Sequence, residues 1–296
     1  MRAPPALAAA ASTGILVGVA LVLTRAVVAE AGPITVAWFR YLVGLLVLLP
    51  WLLSAPLVRF RRRDLLPIVL LGIGQFGVLI ALLNFAVTVI DAGQAALIFA
   101  VFPLLTMALA ILLRQEPFTP RRAAGILLTI VGVGLSIGES ALAGDFTGRQ
   151  WLGAGAAFLS AFCGALCSVL YRPYVQRYPA LQISCLAMVA AIVFLTVLAL
   201  PEGIFEGWPA FSAGGWLAIL GIGLASGAGY LAWLYALRLV WASNVTAFMG
   251  LSPVTAALLG ALFLGETLTW GDAAGVGLVL AGLALALWRS GAPAGA

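Results

Sequence analysis

The chain has 296 residues, of which 64% are hydrophobic and 8% charged, and its mean hydropathy is +1.17. Soluble globular domains carry about 25% charged residues, so the composition excludes one. The formal net charge of +5 would suit a nucleic acid or an acidic partner, but the placement of the charges argues against both.

A bilayer-crossing helix needs roughly 20 mostly apolar residues. Ten segments qualify, at 8–28, 34–53, 66–87, 92–113, 122–138, 151–171, 181–199, 214–237, 243–264 and 272–288. The connections are short, the longest near 139–150 and 200–213, so function has to sit inside the bilayer. Arg2 followed by an apolar stretch resembles a secretory leader, but the Ala-rich run precedes the apolar core, and the segment is read as the first span. All 15 basic residues are arginines. Twelve of them (Arg2, Arg59, Arg61, Arg62, Arg63, Arg114, Arg121, Arg122, Arg172, Arg177, Arg238 and Arg289) fall on one face of the ten-span arrangement. Only Arg25 and Arg149 fall on the other. This asymmetry puts both termini in the cytoplasm and makes Arg59–Arg63 a topology anchor.

Span two holds Arg40, about 10 Å beyond Pro33 at 1.5 Å per residue. A charge at that depth is costly and marks function by default. Two roles compete: holding a substrate carboxylate, or pinning span two through carbonyls or an acid such as Asp91. The second is favoured, and Trp38, Asp91, Gln94, Glu116, Asn244 and Glu266 are grouped with Arg40 as structural or gating residues. Span three supplies Gln75 and Asn84, span six Ser160, and span eight Ser226, Tyr230 and Trp233. Pro103 and Pro253 interrupt spans four and nine and free the carbonyls of Phe99 and Met249. These ten residues form the candidate substrate-binding set. Cys163, Cys167 and Cys185 read as small buried hydrophobes, and with no His in the chain a metal site is not expected.

Residues 92–135 recur without a gap as 242–285, with 12 identities in 44 positions. Pro103, Glu116, Thr119 and Gly132 return as Pro253, Glu266, Thr269 and Gly282. Five spans per half is an odd number, so the second copy enters the membrane upside down. The expected fold is therefore an all-α membrane protein of ten transmembrane helices in two inverted five-helix repeats, 1–140 and 141–296. Such repeats place a solute site near the midplane between the halves, reached by alternating access.

The strings Gly32-Pro33…Trp38-Phe39-Arg40-Tyr41-Leu42, Asp91-Ala92-Gly93-Gln94-Ala95-Ala96-Leu97 and Glu116-Pro117-Phe118-Thr119 resemble EamA-type members of the drug/metabolite transporter superfamily. So do Ala242-Ser243-Asn244-Val245 and Gly265-Glu266-Thr267-Leu268-Thr269 in the second half. The resemblance implies a multi-pass exporter of the bacterial inner membrane, with a cavity lined mainly by helices one, three, four, six, eight and nine. It further implies small amphipathic metabolites as cargo, amino acids with aromatic or hydrophobic side chains first among them. Leu186 stands where Arg40 would recur, so any role of Arg40 is one-sided.

The alternative is efflux of drugs or other organic solutes. An enzyme is not expected, since the chain has no His, no H-E-x-x-H motif and no paired intramembrane carboxylates. The lack of an acid at midplane depth argues against proton/cation antiport and fits facilitated flux, or coupling through a group at the mouth such as Asp91. A small-molecule substrate and the lipid bilayer are the expected partners. No cofactor and no nucleic acid are expected, and the chain is expected to work as a monomer.

Overall fold

The computed structural model describes residues 3–115, 147–204, 211–265 and 270–287, with single residues and short runs between 118 and 135. Every element among them is helical. In chain order these are α1 (Ala3–Ala31), α2 (Pro33–Ser54), α3 (Arg62–Val89), α4 (Ala92–Leu112), α5 (Gly148–Val175), α6 (Ala180–Leu198), α7 (Ala213–Leu239), α8 (Ala242–Leu264) and α9 (Trp270–Leu287). Eight of them, α1 to α8, are long and apolar enough to cross a bilayer. The chain is a multi-pass membrane protein. Spans one to four and six to nine thus have helices where hydropathy places them, and α9 covers span ten. Span five falls largely outside the described residues, as do Glu116 and Glu266.

Several helices run past their apolar cores because polar caps extend them. α5 starts at a reciprocal capping box in which Gln150 and Thr147 satisfy each other's backbone amides. α2 starts with Pro33, whose missing N–H is no loss in a first turn. Its next two amides are taken by Glu202: Ile34 N donates to Oε1 at 3.0 Å and Thr35 N to Oε2 at 2.7 Å. At α7, Glu30 holds the cap: it accepts from Ser212 N at 2.8 Å and Ser212 Oγ at 3.0 Å, and Ser212 Oγ accepts from the first-turn amide of Gly215 at 2.9 Å. Each carboxylate belongs to the half opposite the helix it caps.

The 30–35 and 202–212 segments therefore meet at one end of the bundle. At the other end the α2–α3 connection meets the start of α6. Gln182 donates from Nε2 to Pro56 O and accepts from Val58 N, while Tyr178 Oη donates to Asp64 Oδ2 at 2.7 Å.

Packing between the halves follows an exchange pattern. α1 lies on α7 as α5 lies on α3; α2 lies on α7 as α6 lies on α3; α1 touches α8 as α5 touches α4. The remaining large contacts pair α2 with α6 and α4 with α8, each with its own counterpart. Leu46, Trp51, Leu66, Val193, Leu217 and Phe263 are exposed on the outside. For a chain in lipid such side chains are solvated, and polar groups belong inside.

Three helices are irregular at mid-length. α3 passes through a π-helical turn at Ile73–Val78. α4 breaks between Phe99 and Phe102, and α8 tightens into a 3-10 turn at Phe248–Gly250. In α4 and α8 a proline follows at once: Pro103 and Pro253 stand in the first turn of the segment after the break. Neither can donate to a carbonyl in the preceding turn, so the break sits where no hydrogen bond is available to hold a continuous helix.

Candidate functional site

A glycine crossing sets up the centre of the molecule. On α2, Gly44 stands against Gly223 and Gly227 of α7, and a Cβ on Gly227 would come within 3.1 Å of the Gly44 carbonyl oxygen. Only helices lacking side chains there approach so closely. One turn away along the same crossing, Arg40 Nε donates to Ser226 Oγ at 2.5 Å, and Ser226 Oγ donates in turn to Ile222 O at 2.7 Å. Arg40 is only 5% exposed.

Arg40 and Ser226 border a cavity of about 60 Å³. Thr13, Leu16, Val17 and Leu21 of α1 form one wall; Gln75, Leu79, Ile80 and Leu83 of α3 form another. Phe99 and Phe102 of α4, Ala225, Gly229, Tyr230 and Trp233 of α7, and Met249 of α8 complete it. These residues lie near the middle of their helices, so the cavity sits at mid-bundle depth. One water needs roughly 10–15 Å³ by such a measure, so this conformation has room for a few waters.

The π turn bears on Gln75. Its side chain is buried, and Oε1 has no hydrogen-bond partner among the described residues. A π turn shifts the register of the helix below it against the helix above, a device frequent at functional sites. Carbonyls around this turn are met from α5: Cys163 Sγ lies 3.3 Å from Gly74 O and Cys167 Sγ 3.8 Å from Leu71 O. All three cysteines are free thiols. Aromatic rings flank the polar pair, with Phe76 and Tyr230 at 3.9 Å between centroids, Tyr41 and Phe76 at 5.1 Å, and Tyr230 and Trp233 at 5.7 Å.

Of the ten residues expected at a substrate site, Gln75, Phe99, Ser226, Tyr230, Trp233 and Met249 come together on this cavity. Asn84, Ser160, Pro103 and Pro253 do not line it. Asn84 Nδ2 donates to Pro33 O at 2.9 Å, which ties α3 to the start of α2. Ser160 Oγ donates to Leu79 O at 2.9 Å and fastens α5 to α3. The two prolines shape the helix breaks beside the cavity and are buried in packing.

Arg40, expected to pin span two, is on the wall, and its suggested partner Asp91 is elsewhere. Asp91 Oδ1 lies 3.6 Å from Arg25 Nη2, and Arg25 also donates to the Val87 carbonyl. Trp38 faces away, with Nε1 donating to Thr196 Oγ1 at 2.9 Å. Gln94 and Asn244 are not on the wall either.

The expected lining by helices one, three, four, six, eight and nine therefore needs a correction. Helix two contributes through the long Arg40 side chain. Helix six, here α5, is withheld because Ser160, Cys163 and Cys167 hold it against α3. Sequence reasoning also missed Thr13, whose Oγ1 bonds Ala9 O at 2.8 Å and reaches Gly229 O at 3.2 Å. Its signal was a polar residue directly before Gly14, the first of two glycines four positions apart (Gly14 and Gly18).

The comparisons agree with this architecture. The profile described as EamA-like transporter family matches the chain twice, over residues 4–138 and 151–288. A protein of Streptantibioticus cattleyicolor named "Probable terminal-alkyne amino-acid exporter" is 29% identical over 212 residues, covering 70% of this chain and 68% of that protein. A "Probable amino-acid metabolite efflux pump" of Salmonella typhimurium is 28% identical, covering 85% of this chain and 84% of that protein. A solved crystal structure shares the fold at 21% identity, with a TM-score of 0.76 over 97% of this chain and 99% of that one.

Proposed function

The chain belongs to the EamA-like transporter family, and from that premise we propose that it exports small amphipathic metabolites, foremost amino acids with aromatic or hydrophobic side chains. It is a membrane transporter and not an enzyme by family. In the proposed arrangement, ten helices form two inverted repeats, 1–140 and 141–296, in a bacterial inner membrane with both termini cytoplasmic, and the working unit is a monomer. The packing exchange between halves supports the inversion, since the large contacts of one half have their counterparts in the other.

The observation that carries the proposal is the mid-depth cavity bounded by Arg40, Gln75, Ser226, Tyr230 and Trp233. Its few polar groups are set among apolar and aromatic walls, which suits a solute with one polar end. At about 60 Å³ it has to widen to take such a solute, as alternating access requires. The breaks in α4 and α8, helices that pack on each other, are the proposed points of flexure. Two relatives carry names that specify amino acids or their metabolites, which supports the choice of cargo. Efflux of cationic drugs fits less well, because the charge on the wall is positive.

The test is counterflow in proteoliposomes loaded with unlabelled amino acid and presented with the labelled one. Saturable uptake of labelled phenylalanine, tryptophan or leucine is expected. No counterflow above protein-free vesicles for any amino acid would overturn the reading.

A further inference from the structure

Among the described residues that line the cavity, the one charge is that of Arg40. Arg40 presents five N–H donors, and the hydrogen bond from Nε to Ser226 Oγ is the only one it makes among the described residues. Among the described residues, no acid lines the cavity. Glu30 and Glu202 cap α7 and α2, Asp64 is held by Tyr178, and Asp91 lies beside Arg25. This buried guanidinium borders the cavity, its Cζ lies 5.8 Å from the Tyr41 ring centroid, and its Nη atoms make no hydrogen bond among the described residues, so it offers the fork that a carboxylate fills with two parallel hydrogen bonds. Ser226 fixes the direction of that fork, and the glycine crossing fixes Ser226.

A second observation narrows the ligand. Gln75 lines the same cavity, and among the described residues its buried Oε1 has no donor. Leaving such a group unpaired is unfavourable, so a bound ligand with an N–H or O–H near its carboxylate gains by pairing it. The surrounding surface is aliphatic and aromatic. Among the described residues of the wall, no negative charge offsets an ammonium, which would lie within a few ångströms of Arg40.

Resting on the transport reading, we infer that the cavity selects organic monocarboxylates with a hydrogen-bond donor on the adjacent carbon and an apolar tail, and that Arg40 determines this specificity. Arg40 binds the carboxylate and Gln75 accepts from the adjacent donor. A hydroxyl or an acylamino group supplies that donor without a positive charge. Hydroxy acids and N-acyl amino acids therefore bind more tightly than the parent amino acid, and amines without a carboxylate are refused.

The experiment competes labelled phenylalanine counterflow with phenyllactate, N-acetylphenylalanine, phenylalanine and phenethylamine, which keep one aromatic tail. The expected half-inhibiting concentrations of phenyllactate and N-acetylphenylalanine are at least tenfold below that of phenethylamine and below that of phenylalanine. Arg40→Gln is expected to erase this order, and Arg40→Lys, which keeps the charge without the fork, to retain part of it. The inference is overturned if phenethylamine competes within twofold of phenyllactate in the wild type. It is also overturned if inorganic phosphate competes as well as phenyllactate, or if the order survives in Arg40→Gln.

Should the wild type show no counterflow at all, the transport reading fails, and direct binding decides the inference. Phenyllactate and N-acetylphenylalanine, and not phenethylamine, would then raise the Tm of the detergent-solubilised wild type but not of Arg40→Gln. Equal shifts by all three compounds, or none, would overturn it.

Discussion

Arg40 and Ser226 are 186 positions apart and meet at 2.5 Å, and that meeting defines the polar side of the cavity. At the same scale, two carboxylates hold the bundle end to which α1 runs. Glu202 accepts from Ile34 N, Thr35 N and Thr35 Oγ1, near the positive pole of α2. Removing a capping side chain costs about 0.5–2 kcal/mol. Glu202→Ala is expected to lose an amount at the upper part of that range, read as a lower Tm in detergent; an unchanged Tm would show that the cap contributes nothing. Gly32 admits this carboxylate, because a Cβ there would sit 2.7 Å from Glu202 Cδ.

Which polar residues reach the cavity was only partly legible at this scale. Arg40, Gln75 and Ser226 stood out because polar groups are scarce at mid-span. Asn84 and Ser160 stood out equally, and composition offers no way to separate them. A helical wheel offers one. Gln75 and Asn84 are nine positions apart, about two and a half α-helical turns, so a regular α3 could not present both on one face. Arg40 was legible as a buried charge, but its reach into the cavity depends on the α2–α7 glycine crossing, which is a tertiary contact.

At the scale of the element, small residues set how closely helices approach. α1 crosses α8 at Gly14 and Gly18, where a Cβ on Gly14 would lie 2.0 Å from the Phe248 carbonyl oxygen. That neighbour is backbone at the 3-10 turn of α8 and has nowhere to go. Gly14→Ala is expected to destabilise the protein by at least about 1–3 kcal/mol, the range of an overpacked core. Gly155→Ala in α5 is the control, since nothing lies within 4 Å of its added Cβ. It is expected to hold stability within about 0.5 kcal/mol. Thermal unfolding of the two variants side by side checks both, and equal losses would contradict the crossing.

The helices themselves were legible because apolar length alone places a membrane span. α4 and α8 were legible even in their breaks, through Pro103 and Pro253. The π turn of α3 was not. The segment Ile-Gly-Gln-Phe-Gly-Val has no proline, and the thiols of Cys163 and Cys167 that meet its carbonyls come from α5, far along the chain. The same side chains withdraw helix six from the cavity.

In the whole molecule, the proposed transport cycle makes the cavity between the halves the solute's path, open to each side in turn. Gly229 is a suitable reporter: it lines the cavity, and a Cβ there meets only the Leu16 side chain at 3.6 Å, an ordinary contact. The measurement uses Gly229→Cys in a protein whose three native cysteines are replaced, reconstituted in vesicles and exposed to a membrane-impermeant thiol reagent from one side at a time. Alternating access predicts labelling from either side, slowed on both by a transported solute. Labelling confined to one side, or a rate indifferent to solute, would contradict it.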